Sequence, residues 1–130
     1  MPIKVLLADD TDFMRRAIRG LLEIHPHIEV VGEAANFNQT IQMSKDLKPH
    51  VIVMDLRMPD ETAVKPFEVK SLLKPSGSKL LAVSIWNDAE AAALAESFGA
   101  VSLLDKANLA ETLVPAIVQL APPNVPPTVQ

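Results

Sequence analysis

Short apolar runs alternating with segments of helical periodicity constrain the fold of this chain more than any other feature. The runs cover residues 3–8, 28–34, 51–54, 79–84 and 101–104. Mainly apolar runs of this length are typical of strands that are buried on both faces. The intervening segments predict helices over about 13–24, 36–47, 66–73, 88–97 and from residue 108 onward. The alternation predicts an α/β fold, with a five-stranded parallel sheet covered by helices on both faces.

The first predicted helix has two chemically distinct sides. We expect its apolar side to pack on the sheet and its arginines to face solvent. The apolar side comprises Phe13, Met14, Ala17, Ile18, Leu21 and Leu22, and the arginines are Arg15, Arg16 and Arg19. Thr11 or Asp12 is expected to cap this helix.

The last predicted helix contains two further signals. Asn108 and Glu111 have the spacing of a capping box, which would satisfy backbone amides at the start of the helix. Pro115 cannot donate a backbone hydrogen bond, so we expect it to bend this helix or weaken its first turns.

The 130 residues suffice for one domain, which we assign to residues 1–121. Residues 122–130 are rich in proline and are expected to form an extended tail or linker. A net charge of −4 argues against a nucleic-acid surface, and the absence of cysteine excludes disulfides and cysteine-ligated metals. Apolar runs stay well short of the roughly 20 residues of a membrane span, and no signal peptide is evident. These features favour a soluble cytoplasmic protein.

Polar residues follow or end four of the five predicted strands. Asp9 and Asp10 follow the first, Asp55 the third and Lys106 the fifth, while Ser84 ends the fourth. Because parallel strands end at a shared edge where ligands bind, these side chains should lie together. Three carboxylates repel unless a cation neutralises them, and hard oxygen ligands favour Mg²⁺. A hydroxyl and an ammonium would suit a phosphoryl group.

Four segments carry a family resemblance: Val-Leu-Leu-Ala-Asp-Asp at 5–10, Val-Ile-Val-Met-Asp-Leu-Arg-Met-Pro at 51–59, Leu-Ala-Val-Ser at 81–84 and Leu-Leu-Asp-Lys at 103–106. With these four segments in this order, the chain resembles the receiver domains of bacterial two-component response regulators. The segment at 56–59 resembles that of receivers that precede helix-turn-helix output domains. The resemblance implies a flavodoxin-like sheet of strand order 2-1-3-4-5.

The resemblance also implies roles for the strand-end residues. Asp55 would be the phosphoacceptor, and Ser84 and Lys106 would contact the phosphoryl oxygens. Mg²⁺ would be held directly by Asp10, Asp55 and the backbone carbonyl of Arg57, whereas Asp9 would act largely through water. Such a domain catalyses its own phosphorylation and slow dephosphorylation, and is not a turnover enzyme.

The partners implied are a sensor histidine kinase or a histidine phosphotransfer protein. A homodimer could form through the face of the fourth helix, fifth strand and fifth helix. Direct binding of nucleic acid or a membrane by this domain is not expected.

Four positions depart from the family pattern, and one of them is Ala107, where many members have a proline with a cis bond and we expect a trans bond. Ala63 lies in the segment that usually contains a glycine, Leu103 replaces an aromatic residue, and Ile85 replaces a small one. One alternative is therefore a degenerate receiver that acts, without phosphorylation, as a protein-binding or dimerisation module. Another is a Mg²⁺-dependent phosphatase with Asp55 as a transient nucleophile, although that chemistry needs a second aspartate where Arg57 stands.

Overall fold

Five strands and five α-helices alternate along the chain in the computed structural model, which describes residues 2–121. In chain order the elements are β1 (Ile3–Ala8), α1 (Asp12–Glu23), β2 (Ile28–Ala34), α2 (Phe37–Leu47), β3 (Val51–Asp55), α3 (Pro66–Ser76), β4 (Lys79–Ser84), α4 (Ala89–Ser97), β5 (Ser102–Asp105) and α5 (Leu109–Gln119). The strands form one parallel sheet of order β2-β1-β3-β4-β5. The predicted fold class and strand order are confirmed.

Two apolar cores lie on opposite faces of the sheet. Along β1, Leu6 belongs to the core shared with α2, α3 and α4, whereas Val5 and Leu7 belong to the core shared with α1 and α5. Alternate side chains of a strand point to opposite faces, so a strand covered on both faces has to be apolar throughout. This arrangement explains the mainly apolar runs in the sequence.

Helix α1 buries a narrower stripe than predicted. Ile18 and Leu22 are buried against the sheet, but Phe13 is 81% exposed and Ala17 is also exposed. Packing on one sheet face covers only about 100° of a helix, so residues at the margin of the apolar side point outward. The prediction that Phe13 and Ala17 pack inward is wrong. Thr11 caps α1, as predicted, by accepting a hydrogen bond from the Met14 amide.

The arginines of α1 also differ from their predicted placement. Arg15 and Arg19 are partly buried, and both pair with Glu33 on β2, with N–O distances of 3.0 and 2.7 Å. The two hydrogen bonds and the positive charges of these arginines outweigh the burial that would raise the pKa of Glu33, so that pKa is lowered. Of the three arginines, Arg16 is the one that is exposed.

The capping box predicted for α5 is not formed. A 3₁₀ turn over Lys106–Asn108 precedes the helix, so the backbone of Asn108 (φ −116°, ψ 14°) is not extended and its side chain makes no capping hydrogen bond. Instead Asp105 caps the 3₁₀ turn by accepting from the Ala107 amide at 2.9 Å. Helix α5 continues through Pro115 to Gln119.

The predicted tail, residues 122–130, lies outside the described residues. Among the helices of residues 2–121, none has the length and apolarity needed to cross a membrane.

Candidate functional site

Three carboxylates meet at the carboxyl edge of the sheet. Asp9 and Asp10 follow β1, Asp55 ends β3, and one oxygen from each lies within 4.8 Å of the others. Asp9 and Asp55 are buried, at 1% and 7% exposure, whereas Asp10 is exposed. The structure thus brings together the acidic residues that the strand-end pattern predicted to be neighbours.

Lys106 neutralises part of this negative charge. Its ammonium donates to Asp9 Oδ2 at 2.9 Å and to Asp55 Oδ2 at 3.1 Å. Burial of Lys106 works against its charged form, but the hydrogen bond to Asp9 and the charge of Asp55 outweigh that effect and raise the pKa of Lys106. The ammonium therefore remains charged between the two carboxylates.

The second oxygen of Asp9 is also occupied. Asp9 Oδ1 accepts from the Thr11 backbone amide at 3.0 Å and from the Thr11 hydroxyl at 3.1 Å. The Asp10 carboxylate accepts no hydrogen bond from the protein within residues 2–121. Asp10 therefore offers free lone pairs to an external ligand, whereas both oxygens of Asp9 already accept hydrogen bonds. Sequence reasoning gave Thr11 only a helix-capping role and missed its contact with Asp9.

Asp55 is held by groups on two sides. Its Oδ1 accepts from the Arg57 backbone amide at 3.1 Å, and its Oδ2 accepts from Lys106. Burial raises the pKa of Asp55, and the nearby Asp9 charge adds to this, although the Arg57 amide and Lys106 oppose it. The Arg57 guanidinium pairs with Glu61 at 3.6 Å, so it is the backbone of Arg57 that contacts Asp55.

An open pocket of about 260 Å³ leads to these groups. Its lining consists of Asp10, Asp55, Arg57, Ser84, Ile85, Trp86 and Lys106. Ser84 is buried, and its hydroxyl accepts from the Trp86 amide at 3.0 Å. Trp86 itself is 64% exposed on the loop between β4 and α4. Of the six residues predicted from the sequence to form the site, five line this pocket, and the sixth, Asp9, lies beside it in contact with Lys106.

The donor set fits a small divalent cation. Carboxylate and carbonyl oxygens are the ligands that Mg²⁺ prefers, and the three carboxylates are close enough to share one ion. The pocket is also large enough to admit a phosphoryl group beside Lys106 and Ser84.

The sheet is five-stranded and flavodoxin-like, and an acidic pocket and a lysine lie at its carboxyl edge. These features define a class of α/β proteins that can bind a cation and an anion side by side. Within that class the chain belongs to the response regulator receiver domain family, whose model matches residues 5–118. It is a receiver domain of the kind that functions in two-component signalling.

Relatives and solved structures agree with this assignment. The transcriptional regulatory protein LnrK of Bacillus subtilis is 30% identical over 116 residues, which cover 89% of this chain and 52% of LnrK. A protein-glutamate methylesterase/protein-glutamine glutaminase of Alkalilimnicola ehrlichii is 50% identical over 60 residues, which cover 46% of this chain and 15% of that protein. The chain therefore spans only part of the length of these relatives.

Two solved structures have the same fold. The receiver domain of the putative response regulator NarL from Mycobacterium tuberculosis superposes with a TM-score of 0.80 at 22% identity, covering 91% of this chain and 94% of that one. The response regulator domain of Thermotoga maritima CheB gives a TM-score of 0.79 at 26% identity, covering 92% and 96%.

Proposed function

We propose that this receiver accepts a phosphoryl group on Asp55, in a Mg²⁺-dependent reaction, from a phosphohistidine of a sensor kinase or a histidine phosphotransfer protein. The observation that carries the proposal is the position of Asp55. It is buried at the base of a polar pocket, 3.1 Å from the Lys106 ammonium and beside two further carboxylates.

The cation would be held by Asp10, Asp55 and the backbone carbonyl of Arg57. Asp9 already accepts three hydrogen bonds, two from Thr11 and one from Lys106, whereas Asp55 accepts two, and this difference supports a role for Asp9 through water. When bound, Mg²⁺ supplies positive charge that offsets the charge developing on the phosphoryl oxygens.

The chain's own residues position the reacting groups. A carboxylate oxygen of Asp55 forms the new bond to phosphorus while the bond from phosphorus to the imidazole nitrogen breaks. Lys106, held by Asp9, presents a fixed positive charge to the phosphoryl oxygens, and the Ser84 hydroxyl donates a hydrogen bond to one of them. Hydrolysis of the resulting aspartyl phosphate is slow in this proposal. The domain in this proposal is not a turnover enzyme.

The surface for the phosphodonor is the exposed side of α1 together with the residue that follows this helix. It comprises Phe13, Ala17, Gly20 and Ile24, which are exposed and spaced four, three and four residues apart. A row of apolar and small residues with this spacing suits packing against a helix of a partner. We assign to it the kinase or phosphotransfer protein.

The response is carried by the face of α4, β5 and α5, which would also support a homodimer. Leu103 on β5 packs against the core beside α4 and so differs from the exposed aromatic residue usual there. Residues 122–130 would link the domain to another part of a longer protein, in keeping with the partial coverage of LnrK. This function places the domain in the cytoplasm, and a chain without cysteine suits that reducing compartment.

Phosphorylation by acetyl phosphate tests the proposal directly. Intact-protein mass spectrometry is expected to detect one phosphoryl adduct in the presence of Mg²⁺, and none after Asp55→Asn, because the amide is a far weaker nucleophile. Asp46→Asn on the exposed end of α2 serves as the matched control and should be labelled like the wild type. A labile adduct on Asp55→Asn would contradict the assignment. No adduct on the wild type would favour the phosphorylation-independent binding module.

A further inference from the structure

The start of α2 is capped by a residue from a distant loop. Asp60, on the loop between β3 and α3, accepts from the backbone amides of Phe37 and Asn38, both at 2.9 Å. The first amides of a helix have no partner within the helix, and a carboxylate there also interacts favourably with the helix dipole. Helix α2 has its own cap as well, since Asn36 accepts from the Gln39 amide at 2.7 Å.

The backbone of Asp60 organises the same loop. Its carbonyl accepts from the amides of Ala63 and Val64, at 3.0 and 3.1 Å. The buried side chains of Met58 and Val64 anchor the loop on either side of this turn. Asp60 thus makes two hydrogen bonds to the first turn of α2 and two within its own loop.

This loop begins at the pocket. Arg57 lies three residues before Asp60, its amide contacts Asp55, and its carbonyl is the proposed backbone ligand of the cation. The segment from Asp55 to Asp60 is therefore attached to the site at one end and to α2 at the other. A short segment tethered at both ends has little freedom to shift the Arg57 carbonyl.

We infer that Asp60 is a positioning residue for the cation site, and that through it the occupancy of the pocket is coupled to the stability of the first turn of α2. The inference rests on the proposed function, because it requires a cation at Asp10, Asp55 and Arg57. Coupling between two sites is reciprocal, so a bond that tightens cation binding is itself strengthened when the cation binds.

Two measurements on the full chain test this inference: Mg²⁺ affinity from NMR titration of backbone amides, and amide hydrogen exchange at Phe37 and Asn38. Asp60→Ala is expected to weaken Mg²⁺ binding about fivefold, at the low end of typical coupling between sites. Asp60→Asn retains one acceptor oxygen, so its Mg²⁺ affinity should lie between those of Asp60→Ala and the wild type. This variant keeps the test valid if the alanine variant folds poorly. In the wild type, Mg²⁺ should slow exchange of the Phe37 and Asn38 amides.

Asn36→Ala is the matched control, because it removes the other cap of α2 without touching the loop. It should destabilise the helix and leave Mg²⁺ affinity unchanged. Equal affinity of wild type and Asp60→Ala would overturn the inference, and so would an equal loss in Asn36→Ala, which would mean that helix stability alone matters. If the wild type binds no Mg²⁺, the proposed function fails and the inference falls with it.

Discussion

At the scale of single residues, Lys106 determines whether the acidic site can exist without a cation. Its ammonium bridges Asp9 and Asp55, both buried, and the pKa of Lys106 is raised because the hydrogen bond to Asp9 and the charge of Asp55 outweigh its burial. Removal of one partner from a buried charge cluster leaves the others uncompensated, which costs several kcal/mol.

We predict that Lys106→Met lowers the free energy of unfolding by about 3 kcal/mol at neutral pH, because two buried carboxylates then lack their counter-ion. Urea denaturation followed by circular dichroism measures the change. The same substitution at exposed Lys79 is the control, with an expected effect within about 0.5 kcal/mol. A similarly small effect at position 106 would show that the carboxylates need no lysine.

His50 connects three strands and has a perturbed pKa. Its Nδ1 accepts from the Lys4 amide at 3.0 Å, its own amide donates to the Lys4 carbonyl, and its carbonyl accepts from the Lys79 amide. Burial lowers the pKa of His50, and the charge of Lys4 lowers it further. Protonation of Nδ1 would also remove the acceptor for the Lys4 amide.

The folded state therefore favours neutral His50. Its stabilising contribution is complete above the pKa of about 6.5 in the unfolded chain and is lost as pH falls through the lower pKa of the folded state. We predict that His50→Asn, which retains an acceptor but does not titrate, loses less stability than the wild type between about pH 7 and 5. Unfolding measured across this range, with exposed His27→Asn as control, checks the prediction. Parallel curves for wild type and His50→Asn would refute it.

At the scale of elements, the strands could be predicted from the sequence because four of the five apolar runs end at, or just before, a polar residue. β1, β2 and β4 match their predicted bounds, whereas β3 extends one residue further to Asp55 and β5 is shifted by one residue. The buried face of α1 was predicted less well, because helical periodicity does not show which residues at the edge of an apolar stripe meet the sheet. The 3₁₀ turn before α5 leaves no clear signal in residue order.

The candidate site could also be predicted only in part from the sequence. Asp9, Asp55 and Lys106 could be placed together because they lie at or just beyond the carboxyl ends of parallel strands, and the sheet topology determines their proximity. The bonds of Thr11 to Asp9 and of Asp60 to α2 could not be predicted in this way. They depend on side-chain rotamers and loop paths, and Asp60 is 23 residues from Phe37.

The loop between β4 and α4 provides an optical test of switching. Trp86 is exposed there, lines the pocket, and donates its amide to the Ser84 hydroxyl. We predict that Mg²⁺ with the phosphoryl mimic beryllium fluoride changes Trp86 fluorescence, because Ser84 turns toward the mimic and shifts the amide bound to it. Ser84→Ala should reduce the change. An unchanged spectrum, with binding confirmed by calorimetry, would exclude signalling through this loop.

At the scale of the whole molecule, cation binding is expected to appear as added stability. A ligand that binds only the folded state stabilises it by about 2.7 kcal/mol at one hundred times its dissociation constant. We predict that saturating Mg²⁺ raises the Tm of the wild type, and that Asp10→Ala largely abolishes the increase. Exposed Asp46→Ala should respond like the wild type. Calorimetry measures the Tm of each protein. An equal increase in Tm for the wild type and both variants would mean that the cation binds elsewhere.

The pairing of Lys106 with Asp9 also has a consequence for the order in which this protein is made. The two residues are 97 positions apart, and Lys106 is 51 positions from Asp55. During synthesis, β1 and β3 leave the ribosome well before residue 106 does, so their carboxylates have no lysine counter-ion until that later part of the chain has been made. Bringing such distant residues together costs loop-closure entropy, so we expect Lys106 to join the two carboxylates late in folding.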